Sequence, residues 1–315
     1  MTNGPFTLLA RALLFGLLLL ALLVVVALVS GSRPRVDYYQ ALGPKQERLH
    51  ALGSPKLVVM GGSNGAFGMD SRALEEALCL PAVNMTLHAS LGIRYMTNEV
   101  ASALGSGDVV LLTLEPGMFT PHAKDLELAS AIDGHPSTWR HVPAGDLPKA
   151  LAYFLTMRLK GAWRAVSKSK AAAHRDPVYR AEAFDARGDL HVDEAALAAD
   201  TLPLTVAQRD TVFDPHITAD LTRLHAFATA AGARLFFVWP STATSAFDPA
   251  FARRMAHAVN EAGIPIIGGP VDYVFPDTAF LDTPFHLHPW GRDARTRKLI
   301  GDLCAARPEL CCGRP

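Results

Sequence analysis

A serine near one end of the chain, and an aspartate and a histidine close together near the other, are of the types that build an acyl-transfer site. Ser63 stands in KLVVMGGSNGAFGMDS (Lys56–Ser71), where an apolar run breaks into glycines. Asp282 and His286 stand in FLDTPFHLHPWGRDART (Phe280–Thr296), in a loop leading into a final helix. A serine hydroxyl is inert at neutral pH until a histidine takes its proton, and that histidine needs a carboxylate to hold its tautomer and stabilise its cation. One short loop can supply both. His288 is the rival base, with Pro289 directly after it.

The glycine-rich turn does not fit the phosphate-binding alternatives. A Walker loop needs GxxxxGK[ST], and GGSNGAFG has no lysine. A dinucleotide fingerprint needs GxGxxG, whereas the glycines here are Gly61, Gly62, Gly65 and Gly68. A nucleophile at such a strand-to-helix turn would be exposed at the strand's carboxyl edge, near a helix start that favours developing negative charge. A serine that only makes the turn is the remaining alternative.

The elements that must position these residues alternate. Strand-like runs occur at Leu57–Met60, Pro81–Leu87, Asp108–Leu114, Arg234–Trp239 and Ile264–Ile267. Between them lie helical patterns at Arg72–Leu78, capped by Asp70 or Ser71, at about Tyr95–Leu104, at Ile217–Ala231 and at Pro249–Ala262. This alternation predicts an α/β fold, a three-layer parallel sheet with helices on both faces, whose ligands gather at the carboxyl ends of the strands. The rhythm breaks at Thr120–Pro215, which holds a helical Leu147–Val166 and a basic patch, SKSKAAAHR (Ser167–Arg175). That region reads as an insertion or lid, and its patch as a solvated flank or a contact for anionic headgroups or an acidic glycan.

The chain of 315 residues is half hydrophobic, and its 30 Lys and Arg balance its 30 Asp and Glu. No basic field points to nucleic acid. Ala12–Val29 is uncharged and long enough to cross the hydrocarbon core as a helix. It exceeds a signal-peptide core and ends in ALVSGSR, a poor cleavage site, so an uncleaved anchor is expected. Arg11 precedes it and Arg33 and Arg35 follow, so charge does not set its orientation. The domain reading is an anchor at 1–31, a polar juxtamembrane spacer at 32–53 and an α/β domain at 54–315 with an insertion at about 120–215. Cys304, Cys311 and Cys312 crowd the C-terminus while Cys79 stands alone, without a CxxC pattern; a disulfide closing the tail would suit a body outside the cytoplasm.

GGSN on the first strand, NMTLHASLG on the second and DTPFHL near the C-terminus resemble the SGNH/GDSL hydrolase superfamily, particularly its membrane-anchored members. The resemblance covers about Lys56–Leu114 and Leu221–Leu303. It implies an SGNH, flavodoxin-like fold, with Ser63 as nucleophile, His286 as base and Asp282 as its partner, although the usual Asp-x-x-His spacing is one residue longer here. It also implies an oxyanion hole from the Ser63 backbone, a glycine at Gly92 and an asparagine after the third strand, where this chain has Glu115 in LEPGMF. An ionised carboxylate cannot donate, so Gly117 or Asn64 would have to substitute.

The function so implied is esterase or O-acyltransferase chemistry on a cell-envelope substrate, a polysaccharide first, through an acyl-serine. The alternative is a noncatalytic envelope binding or assembly module on the same fold. The implied partners are the membrane, an acyl donor, a glycan acceptor and a membrane acyltransferase; no metal or organic cofactor is implied.

Overall fold

The computed structural model describes residues 5–29, 34–121, 124–167, 178–192 and 212–312. The buried-strand runs form a five-stranded parallel sheet in the order β2-β1-β3-β4-β6. Its strands are β1 (Leu57–Gly61), β2 (Ala82–Asn84), β3 (Val109–Thr113), β4 (Arg234–Val238) and β6 (Ile266–Ile267). A separate pair joins β5 (Thr242–Ala243) to β7 (Val274–Phe275). Every residue of β1 and β3 is buried, as continuous apolar runs in a covered parallel sheet require.

The strand order reverses between β1 and β3, whose registers pair Leu57 with Val109 and Gly61 with Thr113. Crossovers leave such a neighbouring pair in opposite directions, opening a crevice at its carboxyl end. β1 can run so close to β3 there because Gly61 has no side chain: a Cβ would lie 1.9 Å from the Thr113 carbonyl oxygen.

Helix α1 (Pro5–Val29) is long and apolar enough to cross a membrane, and most of its side chains are exposed. Residues 34–51 differ from the expected spacer. They form α2 (Pro34–Tyr39) and α3 (Leu42–Ala51), with Tyr38, Tyr39, Leu42 and Leu49 buried in the main core. Polar residues made this stretch look solvated, yet Lys45 is buried too, because its ammonium donates to the carbonyls of Asn84, Thr86 and Gly188.

The short helix α4 (Ser63–Gly68) follows β1, and α5 (Ser71–Leu78) follows it, with Asp70 as the N-cap accepting from the Ala73 N–H at 3.0 Å. Then come α6 (Ile93–Ala101), α7 (Asp125–Gly134) and α8 (Leu147–Val166). The Arg158 guanidinium of α8 reaches the Leu28 carbonyl at the end of α1. Helices α9 (Ile217–Ala230), α10 (Pro249–Glu261) and α11 (Pro289–Ala306) complete the cover. Of the basic patch, all but Ser167 lies outside the described residues. The cysteines pair as Cys79–Cys312 and Cys304–Cys311, so the lone Cys79 binds the tail to the end of α5.

Candidate active site

Ser63 is the first residue of α4, at the carboxyl end of β1, and is largely buried. Its Oγ lies 2.8 Å from His286 Nε2, across 223 positions of sequence. His286 Nδ1 lies 2.8 Å from Asp282 Oδ1. His288 takes a different place: it caps α11, and its backbone N–H donates to the Ala279 carbonyl at 2.8 Å.

The loop carrying Asp282 and His286 is a tight reversal. Phe280 and Leu287 form an antiparallel bridge across it, and the Leu281 N–H donates to the His286 carbonyl at 2.9 Å. This closure brings the two side chains together at a spacing of four residues without a helix.

Two aromatic residues fix the imidazole. Phe67, one turn after Ser63 on α4, stacks on it with ring centroids 4.0 Å apart. The Tyr179 hydroxyl donates to Asp282 Oδ2 and lies 3.1 Å from His286 Nδ1. Burial pushes the Asp282 carboxyl up, but the hydrogen bond and charge of His286, aided by Tyr179, outweigh it and hold the group below its ordinary range. Asp282 is thereby kept ionised.

Tyr179 belongs to residues 178–192, within the expected insertion, and that segment is fastened to the nucleophile's own elements. The Leu190 N–H donates to the Ala66 carbonyl of α4 at 3.0 Å. Asp189 accepts from both the Ser71 N–H and its hydroxyl, each at 2.6 Å.

Behind the turn, Arg295 of α11 is fully buried. Its Nη1 donates to the carbonyls of Asn64 and Gly68 at 3.2 and 3.1 Å, and its Nη2 to Thr113 Oγ1 and the Trp239 carbonyl at 2.8 and 2.9 Å. These acceptors are neutral, and burial lowers the guanidinium to about 10. One side chain therefore ties α4 to the carboxyl ends of β3 and β4.

The positions expected to line an oxyanion hole fare differently. The Ser63 N–H heads α4, where an N–H has no intrahelical acceptor. The Gly92 N–H donates to the Ala89 carbonyl at 3.1 Å, closing the 3₁₀ turn Ala89–Leu91, so it is already engaged. The Asn64 side chain is turned into β3: Nδ2 donates to the Thr113 carbonyl at 3.2 Å and Oδ1 accepts from Thr113 Oγ1 at 2.8 Å. Gly117 is exposed in the turn after β3. Glu115, just before that turn, is buried. Among the described residues, no group of three His, Cys, Asp or Glu is placed to hold a metal ion.

Sequence reasoning passed over Phe67, Tyr179 and Arg295. Phe67 carried a usable signal, its spacing of four from Ser63 in a helix; Tyr179 and Arg295 carried none, because only the tertiary fold brings them to the turn.

No family model matches this chain, and no curated protein matches it. Among solved structures, it is similar to the Bacillus subtilis protein YxiM, at 10% identity and a TM-score of 0.39. The likeness covers 81% of this chain and 57% of that one.

Proposed function

We propose that this chain is a serine-dependent esterase or O-acyltransferase of the SGNH/GDSL kind, acting on an ester of the cell envelope, with a glycan as the leading substrate class. The observation that carries the reading is the unbroken run of hydrogen bonds from Ser63 Oγ through both nitrogens of His286 to Asp282. With its proton on Nδ1, held by Asp282, the imidazole offers Nε2 as acceptor to the serine hydroxyl.

In the reaction, Ser63 Oγ attacks the ester carbonyl carbon as its proton passes to His286 Nε2. The ester C–O bond then breaks and the departing alcohol takes that proton, leaving an acyl-serine. Water, or a sugar hydroxyl, next gives its proton to Nε2 and attacks the acyl carbon; the bond from that carbon to Ser63 Oγ breaks, and Oγ takes the proton back from Nε2. Asp282 stays ionised and stabilises the imidazolium at each turn. Helix α1 would hold the domain at the membrane, and the two disulfides support an oxidising compartment.

A noncatalytic binding module is the second reading, favoured by the engagement of the Gly92 N–H and the Asn64 side chain. A fluorophosphonate probe separates the two. The catalytic reading expects one covalent adduct at Ser63, located by peptide mass spectrometry and absent from Ser63→Ala. No adduct on the folded wild-type protein would favour the binding module.

A further inference from the structure

Helix α8 presents one stripe to its surroundings. Lys149, Tyr153, Thr156, Lys160 and Trp163 recur at alternating intervals of four and three residues, the spacing of a single helical face, and all are exposed, with Arg164 beside Trp163. Trp163 is 73% exposed and Tyr153 47%. Two large rings left in water along one stripe forgo the burial that such side chains ordinarily gain.

The charge of α8 is as one-sided as its face. The whole chain balances its Lys and Arg against its Asp and Glu, but α8 carries Lys149, Arg158, Lys160 and Arg164 and no acid. Arg158 is taken by Asp133 of α7. Lys149, Lys160 and Arg164 are exposed and, among the described residues, pair with no carboxylate.

The place of the helix says what covers this stripe. α8 packs against α1, and its Arg158 guanidinium lies 3.5 Å from the Leu28 carbonyl, one residue before the end of the run long and apolar enough to cross a membrane. The end of a spanning helix lies at headgroup level, so α8 lies there as well. Indole and phenol rings suit that boundary between acyl chains and headgroups, while long basic side chains reach lipid phosphates with their charged heads still in water.

We propose that this stripe of α8 seats on the anionic headgroups of the bilayer that α1 spans. Trp163 and Tyr153 enter the boundary, and Lys149, Lys160 and Arg164 pair with lipid phosphates. The proposal rests on α1 as an anchor and not on the chemistry of Ser63. A second point of attachment holds the α/β domain against the membrane.

The test is tryptophan emission from the full chain reconstituted in vesicles of phosphatidylcholine and phosphatidylglycerol, with and without bromine on the acyl chains near the headgroups. The expected result is quenching in wild type that is lost in Trp163→Phe, since α1 contains no tryptophan. In the triple variant Lys149→Gln, Lys160→Gln, Arg164→Gln, each lost charge should lower the ratio of seated to lifted helix about fivefold. A fall is also expected for wild type in phosphatidylcholine alone, and thermal melts verify that the variants are folded. Quenching as strong in Trp163→Phe as in wild type overturns the proposal. A triple variant quenched as fully as wild type does so too, because anionic headgroups are then not what α8 meets. A chain that floats with the vesicles while Trp163 stays unquenched keeps the anchor, ends this proposal alone and leaves the stripe to a protein partner. A chain that does not float ends the anchor reading and this proposal with it.

Discussion

The imidazole of His286 lies flat on Phe67, with ring planes 5° from parallel, and Phe67 sits on the same short helix as Ser63. One rigid turn therefore carries both the hydroxyl and the surface against which its partner rests. Helix α4 is also held from behind by Arg295, so the histidine is set by the nucleophile's element as much as by its own loop.

Replacing Phe67 tests this. Phe67→Leu keeps an apolar group but loses the flat face, and a misplacement of about 1 Å can cost roughly 100-fold in rate. Labelling of Ser63 is expected to slow by about 10–100-fold, while the melt reports about 1–3 kcal/mol of destabilisation from the smaller buried side chain. An unchanged rate would show that the loop alone orients the ring.

The assignment of the base is separable by mutation although two histidines lie two positions apart. His286→Ala is expected to fall as far as Ser63→Ala in ester turnover, because residues acting as one unit are not additive. Asp282→Asn is expected to retain about 10–100-fold more activity than either. His288→Ala should stay near wild type, since that residue caps α11 through its backbone. A dead His288→Ala beside an active His286→Ala would overturn the assignment.

Asp282 carries a pH signature. Its carboxyl ionises below the ordinary range in the folded protein, so the unfolded chain binds its proton first as pH falls. The stability it contributes is therefore present above an unfolded carboxylate pKa of about 3.9 and is lost as pH falls through the lower folded value. Tyr179→Phe removes one of the groups holding that pKa down. The gap in melting temperature between wild type and Tyr179→Phe should be present at neutral pH and close on acidification. A gap that widens in acid would mean that the hydroxyl serves the protonated form of Asp282.

How much of this was legible depended on whether the signal was local. The apolar runs of β1 and β3 announce covered strands, and Ser63 at the end of one marks the carboxyl edge where a site belongs. The Asp282 and His286 loop was legible because both partners lie within one turn of chain. Residues 34–51 were misread because Lys45 and Gln46 look solvated, when Lys45 meets three backbone carbonyls and Gln46 meets Glu99. The engagement of the Gly92 N–H and of the Asn64 side chain was not legible, because a backbone N–H closing a 3₁₀ turn, or an amide turned into a neighbouring strand, leaves no trace in composition. Arg295 looks like any cation of a surface helix until its four neutral acceptors are seen.

A body outside the cytoplasm has two independent consequences. Helix α1 is uncharged from Ala12 to Val29, and the exposed Lys149 and Lys160 of α8 belong to the helix that meets its end. An amine reagent that cannot cross membranes should label these lysines in intact spheroplasts, and peptides from the α1 region should remain in the membrane fraction. The disulfides report the compartment separately, because Cys79–Cys312 and Cys304–Cys311 form stably only where thiols are not kept reduced. Trapping free thiols with an alkylating agent during lysis should leave all four cysteines unmodified until reductant is added. Lysines labelled only after the membrane is broken, together with four alkylated cysteines, would place the body in the cytoplasm and remove the envelope from the proposed substrate. Labelled lysines in protein lacking its α1 peptides would instead make that helix a cleaved leader.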